Sequence, residues 1–109
     1  MRSYPLTPNA RIDFIEAFNY IAQDSLRADL RWEAEILNAF DHVAEWPLTG
    51  RPRPEFKPEE LRSWVVGSYV IIYDLVTNPV DIIAFLHGAR DMERILSDRY
   101  AKSILEEDD

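Results

Sequence analysis

The chain contains no cysteine among its 109 residues. This absence excludes disulfide bonds, zinc sites built from thiolates and a catalytic thiol. The fold must therefore be held by packing, and a hydrophobic content of 47% is sufficient for one core. The length allows one domain rather than two. A chain without disulfides also suits a reducing compartment, and we expect a cytoplasmic protein.

Long apolar runs are also missing. The most apolar stretch, residues 64–76, is interrupted by Gly67, Ser68 and Asp74, and it falls short of the roughly 20 apolar residues that a membrane helix needs. The first residues, MRSYP, are not followed by an apolar run, so we expect no signal peptide. The sequence therefore predicts a protein that does not enter a membrane.

Basic residues are in deficit, with 12 Lys and Arg against 20 Asp and Glu and a net charge of −8. The last four residues, EEDD, supply half of that charge. A body that is still acidic is unsuited to broad phosphate binding, and we expect no sequence-specific DNA binding by this chain alone. Residues 1–103 are predicted to form a single domain, and residues 104–109 an acidic, disordered tail.

Two helices are predicted in the first half, over residues 9–23 and 26–45. Thr7-Pro8 and Asp24-Ser25 are start signals for them, and the short break between them predicts a helix hairpin. The apolar stripe of the first helix is expected at Ile12, Ile15, Phe18 and Ala22, with Phe14 and Ile21 beside it. That of the second is expected at Leu30, Ala34, Leu37, Phe40, Val43 and Ala44, with Trp32 and Ile36 on its flanks.

Three strands are predicted in the second half, over residues 61–66, 69–75 and 80–87, with a two-residue turn at Gly67-Ser68. The middle strand is apolar on both faces and should be central. Residues 2–7 read as an edge strand that precedes the helices, and a short helix should follow from Met92 to about Ser103. This order predicts an α+β fold, β-α-α-β-β-β, with the helices on one face of a small antiparallel sheet.

Residues 46–58 hold four of the seven prolines. Proline removes a backbone donor and restricts the preceding residue, so this stretch is predicted to be a loop that is neither a helix nor a central strand. Trp46 is expected to plug the open end of the helix hairpin.

Several short motifs follow one another from the hairpin to the last helix: Pro47-x-x-Gly50-Arg51, Leu61-Arg62, Gly67-Ser68-Tyr69-Val70-Ile71-Ile72-Tyr73, Val80-x-Ile82 and His87-Gly88-Ala89-Arg90-Asp91. In this order and spacing the chain resembles the RelE/ParE superfamily of toxins from type II toxin–antitoxin systems, over about residues 4–96. The resemblance implies a ParD-like cognate antitoxin that folds on binding and neutralises the toxin by wrapping its surface. It implies no cofactor.

The superfamily divides by target. Its RelE-like members cleave mRNA on the ribosome, whereas its ParE-like members act on DNA gyrase and are not known as nucleases. The RelE-like branch carries Arg at the position of Val70, Tyr at the position of Leu96 and Lys in the strand at residues 61–66, which has none here. The resemblance therefore favours a ParE-like gyrase inhibitor that acts by binding. An mRNA endonuclease and a non-toxic interaction protein of the same fold stay open as alternatives.

The predicted target-binding residues are Arg62, Arg90, Asp91 and Arg94. Arg62 and Arg90 could together hold a carboxylate or phosphate. They could instead pair with nearby acids such as Glu60. In the endonuclease alternative, Arg62 and Arg90 would stabilise phosphate and His87 would shuttle the proton.

The predicted antitoxin-binding residues are Trp32, Arg31 and Arg51. Trp and Arg are common anchors of protein interfaces, although a helix Trp of this kind can also pack in the core. The other His, His42, is too far from His87 in the sequence to form a metal-binding motif with it, so we expect no metal.

Overall fold

The computed structural model describes residues 6–56, 60–76, 80–88 and 92–107, with side chains in the last helix described as far as residue 99. The elements are α1 (Pro8–Ala22), α2 (Leu26–Glu45), β1 (Arg51–Pro52), β2 (Leu61–Val66), β3 (Tyr69–Asp74), β4 (Asp81–His87) and α3 (Met92–Glu107). The sheet is antiparallel, in the order β1-β2-β3-β4. The predicted α+β class, the helix hairpin and the three longer strands are confirmed.

Both hairpin helices begin where the sequence predicts. The Thr7 hydroxyl accepts a hydrogen bond from the Ala10 N–H, with Pro8 in the first turn, and Ser25 caps α2 through the Ala28 N–H. A hydroxyl at this position satisfies one of the amide donors that a helix start leaves unpaired.

The predicted stripes agree with the buried faces only in part. Ile12, Ile15 and Leu30 are exposed, whereas Phe40 and Val43 of the predicted α2 stripe are buried, and Phe14 and Ile36, predicted beside the stripes, pack in the core. The helix α1 lies against both α2 and β4 through a face that carries Ala10 and Phe14, and it leaves Ile12 and Ile15 in solvent. Apolar periodicity alone could not distinguish these phases.

The sheet is packed on both faces, which corrects the prediction that the helices lie on one. The larger core lies between the sheet and the α1–α2 hairpin and includes Ile71, Tyr73, Ile82 and Phe85. The second core lies on the other face, where Met92 and Leu96 of α3 pack with strand residues. The middle strand, β3, is buried on both faces and central, as predicted.

The proline-rich stretch contains more structure than predicted. Residues 47–49 form one turn of 3₁₀ helix, and β1 adds a two-residue strand at the edge of β2. Pro52 is tolerated there because an edge strand needs hydrogen bonds on one side only. The turn at Gly67 and the residue after β4, Gly88, both have positive φ, which glycine adopts without a steric penalty.

The two ends of the chain differ in how far the predictions can be followed. Most of the predicted first strand, residues 2–5, lies outside the described residues, but Leu6 forms a parallel bridge with Ile82 of β4. The last helix runs to Glu107, past its predicted end near Ser103, so its backbone extends into the stretch that we predict to be a disordered tail.

Candidate functional site

A cleft of about 720 Å³ opens between the turn after β1 and the first turns of α3. It is lined by Arg53, Glu55 and Phe56 on one side and by Met92, Glu93, Arg94 and Ser97 on the other. The exposed Arg94, a predicted target contact, projects from α3 here. The cleft therefore combines apolar side chains with two arginines and two glutamates, which suits contact with a protein surface of mixed charge.

Arg53 is fixed within this cleft. Its guanidinium bonds to the carboxylate of Glu55 at 3.0 Å and to the Ser63 hydroxyl at 3.2 Å, and it lies 4.6 Å from the centre of the Phe56 ring. The pKa of Glu55 lies below its usual value, chiefly because its carboxylate accepts a hydrogen bond from its own backbone. The nearby Arg53 guanidinium lowers this pKa further. Arg53 is thus a pre-positioned wall of the cleft.

Arg62, a predicted target contact, holds the chain's own backbone in this structure. One guanidinium nitrogen donates to the carbonyls of Leu48 and Gly50, at 2.9 and 2.8 Å. Arg62 alternates with Leu61 along β2 and pairs across the sheet with Tyr73, so it lies on the hairpin face. Arg94, on α3, belongs to the opposite face, and the structure therefore does not bring these two arginines together.

Tyr73 completes this arrangement. Its hydroxyl donates to the Pro47 carbonyl at 2.6 Å and accepts the Gly50 N–H at 3.0 Å. Burial raises the pKa of Tyr73, so the hydroxyl keeps its proton. A Cβ at position 50 would lie 2.9 Å from two ring carbons of Tyr73, which explains the glycine there by close approach rather than by its φ.

His42 fixes the same segment from α2. Its Nε2 lies 3.0 Å from the Thr49 hydroxyl, which donates its proton to the Trp46 carbonyl at 2.7 Å. Because a hydroxyl has only one proton to give, Nε2 of His42 must be the donor in the first bond. The ring also lies against Trp64, with centroids 4.5 Å apart.

The prediction that Trp46 plugs the open end of the helix hairpin is wrong. Its side chain is in solvent, with 57% of its surface exposed. Trp32, predicted to contact the antitoxin, is half-buried, with its ring packed on Phe14, Tyr69 and Phe85. This packing corresponds to the alternative given above, in which Trp32 packs in the core. Arg31 and Arg51 are both exposed, as a binding role requires.

His87 is exposed at the end of β4, where its ring lies 4.9 Å from that of Tyr69. Arg90 and Asp91 lie outside the described residues, so their predicted contacts with the target stay predictions. Among the described residues, no group of three His, Asp or Glu side chains could hold a metal ion.

Sequence reasoning missed an ion pair that joins three elements. Arg99 of α3 meets Asp13 of α1 in a two-pronged contact, at 2.7 and 2.8 Å, with 22% and 12% of the side chains exposed. Asp13 also accepts the Phe85 N–H, and Arg99 donates to the Ile83 carbonyl. A bulge in β4 shifts the register there, and the pair satisfies backbone groups on the outer side of this edge strand.

Within the described part of the chain, no helix is long and apolar enough to cross a membrane.

Comparison with known proteins agrees with the resemblance. The family model for the ParE toxin of the type II toxin–antitoxin system, parDE, matches residues 4–92. A solved structure described as the chromosomal ParDE toxin–antitoxin system from P. aeruginosa is similar, with a TM-score of 0.63 and 13% identity over 77% of this chain and 92% of that one. No curated protein sequence matches significantly. At that identity the solved structure supports the fold alone, whereas the family match covers most of the chain. The chain therefore belongs to the ParE toxin family of type II toxin–antitoxin systems.

Proposed function

We propose that this chain is a toxin that inhibits DNA gyrase by binding to it, and that a cognate ParD-like antitoxin neutralises it in the cytoplasm. Membership of the ParE toxin family indicates a toxin of a type II toxin–antitoxin system. Features of the structure support binding rather than cleavage as its mode of action. The observation that carries the proposal is the burial of the two positions at which the RelE-like branch places catalytic side chains.

Val70 and Leu96 occupy those positions. Both are buried, at 8% and 1% exposure, and both belong to the apolar core between the sheet and α3. A nuclease needs cationic or proton-transferring groups near the phosphate, and here the equivalent space is filled with packed hydrocarbon. Arg62, a third candidate for that chemistry, is engaged by the carbonyls of Leu48 and Gly50.

The proposed target contact is the cleft around Arg53 and Arg94, and the sequence adds Arg90 and Asp91 as predicted contacts. The arginines and glutamates of the cleft would fix the orientation of a partner with complementary charges. Arg62 serves this surface indirectly, by fixing the segment that leads into β1. In this proposal no bond is made or broken by the chain, and inhibition follows from occupancy of the gyrase surface.

The proposed antitoxin contact lies on the outer face of the helix hairpin and at β1. Exposed Leu26 and Leu30 stand beside the exposed Arg31 on α2, and Ile12 and Ile15 are exposed on α1. An antitoxin segment that folds on binding must bury extensive apolar surface to offset its ordering cost, and these side chains offer it. Arg51, also exposed, would extend the contact towards the sheet.

A supercoiling assay with purified gyrase and relaxed plasmid tests the proposal. We expect the purified chain to inhibit supercoiling in proportion to its concentration, and Arg94→Gln to weaken inhibition roughly three- to tenfold. An assay of mRNA cleavage on purified ribosomes is the matched comparison. Cleavage of ribosome-bound mRNA, with supercoiling unaffected, would establish the endonuclease alternative.

A further inference from the structure

The segment that follows α2 displays two large apolar side chains in solvent. Trp46 and Leu48 are 57% and 73% exposed. Single exposed apolar residues are ordinary on protein surfaces. Two of them within three positions of an otherwise constrained turn need a separate explanation. We refer to residues 46–50 as the tip segment.

The backbone of the tip segment is held by side chains from three elements. The carbonyls of residues 46, 47, 48 and 50 accept hydrogen bonds from Thr49, Tyr73 and Arg62, and the Gly50 N–H donates to Tyr73. His42 fixes Thr49 in turn. Polar side chains of α2, β2 and β3 are thus directed at one short turn, and its backbone has little freedom left to lose on binding.

This combination favours an anchor for a partner. A rigid Trp and Leu that project from the surface can each fill a pocket and contribute most of the energy of an interface. A segment that folds on binding fills grooves of the toxin, whereas a projecting side chain needs a pocket that already exists on the other protein. The tip segment therefore suits a folded partner better than a disordered one.

The charges near the tip segment indicate the rim of that pocket. Near the tip segment, Arg51, Arg53 and Arg62 outnumber Glu45 and Glu55, although the chain as a whole has a net charge of −8 and Glu55 is paired with Arg53. Arg51 is exposed next to the tip segment, and Arg62 lies behind it. A complementary partner offers an apolar pocket with acidic residues at its edge.

We propose that the tip segment is a docking anchor that inserts Trp46 and Leu48 into an acidic-rimmed apolar pocket of the folded target. The inference rests on the proposed function, since gyrase is the target considered, and it adds a second contact to the Arg53–Arg94 cleft. Arg62, Tyr73 and His42 are positioning residues for the anchor, because Arg62 and Tyr73 bond to its backbone and His42 bonds to the Thr49 hydroxyl.

The test measures the binding of purified gyrase to immobilised chain and the inhibition of supercoiling. Trp46→Ala should weaken both at least roughly tenfold and Leu48→Ala roughly threefold or more, with unchanged circular dichroism and thermal midpoint because both side chains are exposed. Tyr20→Ala is the matched control, since this aromatic is 68% exposed on α1, and it should change binding less than twofold.

Tyr73→Phe tests whether the tip segment must be held in place. It removes one hydroxyl and both of its bonds to the tip segment, and it leaves Trp46 and Leu48 present. We expect gyrase affinity to fall roughly three- to tenfold, because the tip segment would have to be ordered on binding. The variant should keep the fold. Equal affinity in Tyr73→Phe and wild type would overturn the positioning role.

The outcomes separate this inference from the proposed function. If wild type inhibits gyrase and the Trp46 and Leu48 variants inhibit it equally well, the anchor is wrong and the proposed function stands. If these variants no longer bind the cognate antitoxin but still inhibit gyrase, the tip segment contacts the antitoxin and the inference is overturned. If wild type neither binds nor inhibits gyrase, both proposals fall.

Discussion

The two faces of the sheet are held by different kinds of contact. On the hairpin face, Phe14, Trp32, Phe40 and Phe85 pack on one another with ring centres 5.6 to 6.1 Å apart. On the other face, α3 is attached by a smaller apolar cluster and by the Asp13–Arg99 pair. The hairpin face is thus a scaffold set by aromatic packing, whereas the position of α3, and with it one wall of the cleft, depends on a polar contact.

The largest expected effect is on the hairpin face. Phe40 is fully buried between Phe14 and Phe85, and Phe40→Ala should lower the free energy of unfolding by about 3–5 kcal/mol through lost burial and a cavity. Urea denaturation followed by circular dichroism measures it. Leu96→Ala on the α3 face is the companion variant, with an expected loss near the lower end of about 2–5 kcal/mol. A larger loss for Leu96→Ala than for Phe40→Ala would reverse the comparison.

A smaller effect is expected at the ion pair. Arg99→Gln breaks the two-pronged contact and leaves the Asp13 carboxylate partly buried beside the Phe85 N–H. Hydrogen bonds to charged groups are each worth about 1.5–3 kcal/mol, and we expect a loss of about 2 kcal/mol. Hydrogen exchange should accelerate in α3 more than in α2. Arg94→Gln, an exposed change on the same helix, should alter stability by less than about 0.5 kcal/mol. Uniform acceleration in both helices would show that the pair does not hold α3 specifically.

The smallest effect concerns Asp29, a buried α2 residue whose two carboxylate oxygens have no hydrogen-bond partner in the described structure. Burial raises its pKa above the ordinary value of 3.8. The folded state thus binds the proton more tightly than the unfolded state. The resulting stabilisation is fully present below the unfolded pKa and is lost as the pH rises through the folded pKa.

Asp29→Asn removes this titration. We expect the variant to be at least as stable as wild type at neutral pH and to lack part of the decline in thermal midpoint as the pH rises from acid to neutral. Asp24→Asn, at an exposed position between the helices, is the control and should leave that decline in place. A variant that is less stable than wild type at neutral pH would mean that the charged carboxylate has a stabilising partner.

The strands and hairpin could be predicted because their signals are local. Thr7-Pro8 and Ser25 mark the helix starts, and Gly67-Ser68 fixes the turn between β2 and β3. The bounds of α2 and β2 agree with the structure residue for residue. A cap, a turn and an apolar strand each depend on neighbours a few residues away, so one sequence contains enough information to place them.

The contacts that define the candidate site are long-range, and their partners could not be read from spacing. Asp13 and Arg99 are 86 residues apart, and Tyr73 reaches Pro47 across 26. An Arg in a strand looks the same in the sequence whether it meets a target or, as Arg62 does, its own backbone. The sequence contains the motif Pro47-x-x-Gly50-Arg51, but the physical reason for its residues lies in their contacts with Tyr73.

The most direct test of the central claim, that this chain acts on gyrase by binding rather than on mRNA by cleavage, is pulse-labelled incorporation into DNA and into protein during the first minutes after the chain alone is induced in a bacterial cell. We predict that DNA synthesis stops first while translation continues, and that co-expression of the antitoxin restores it. If translation stops first, the buried Val70 and Leu96 do not preclude ribosome-dependent cleavage, and the proposed function is wrong.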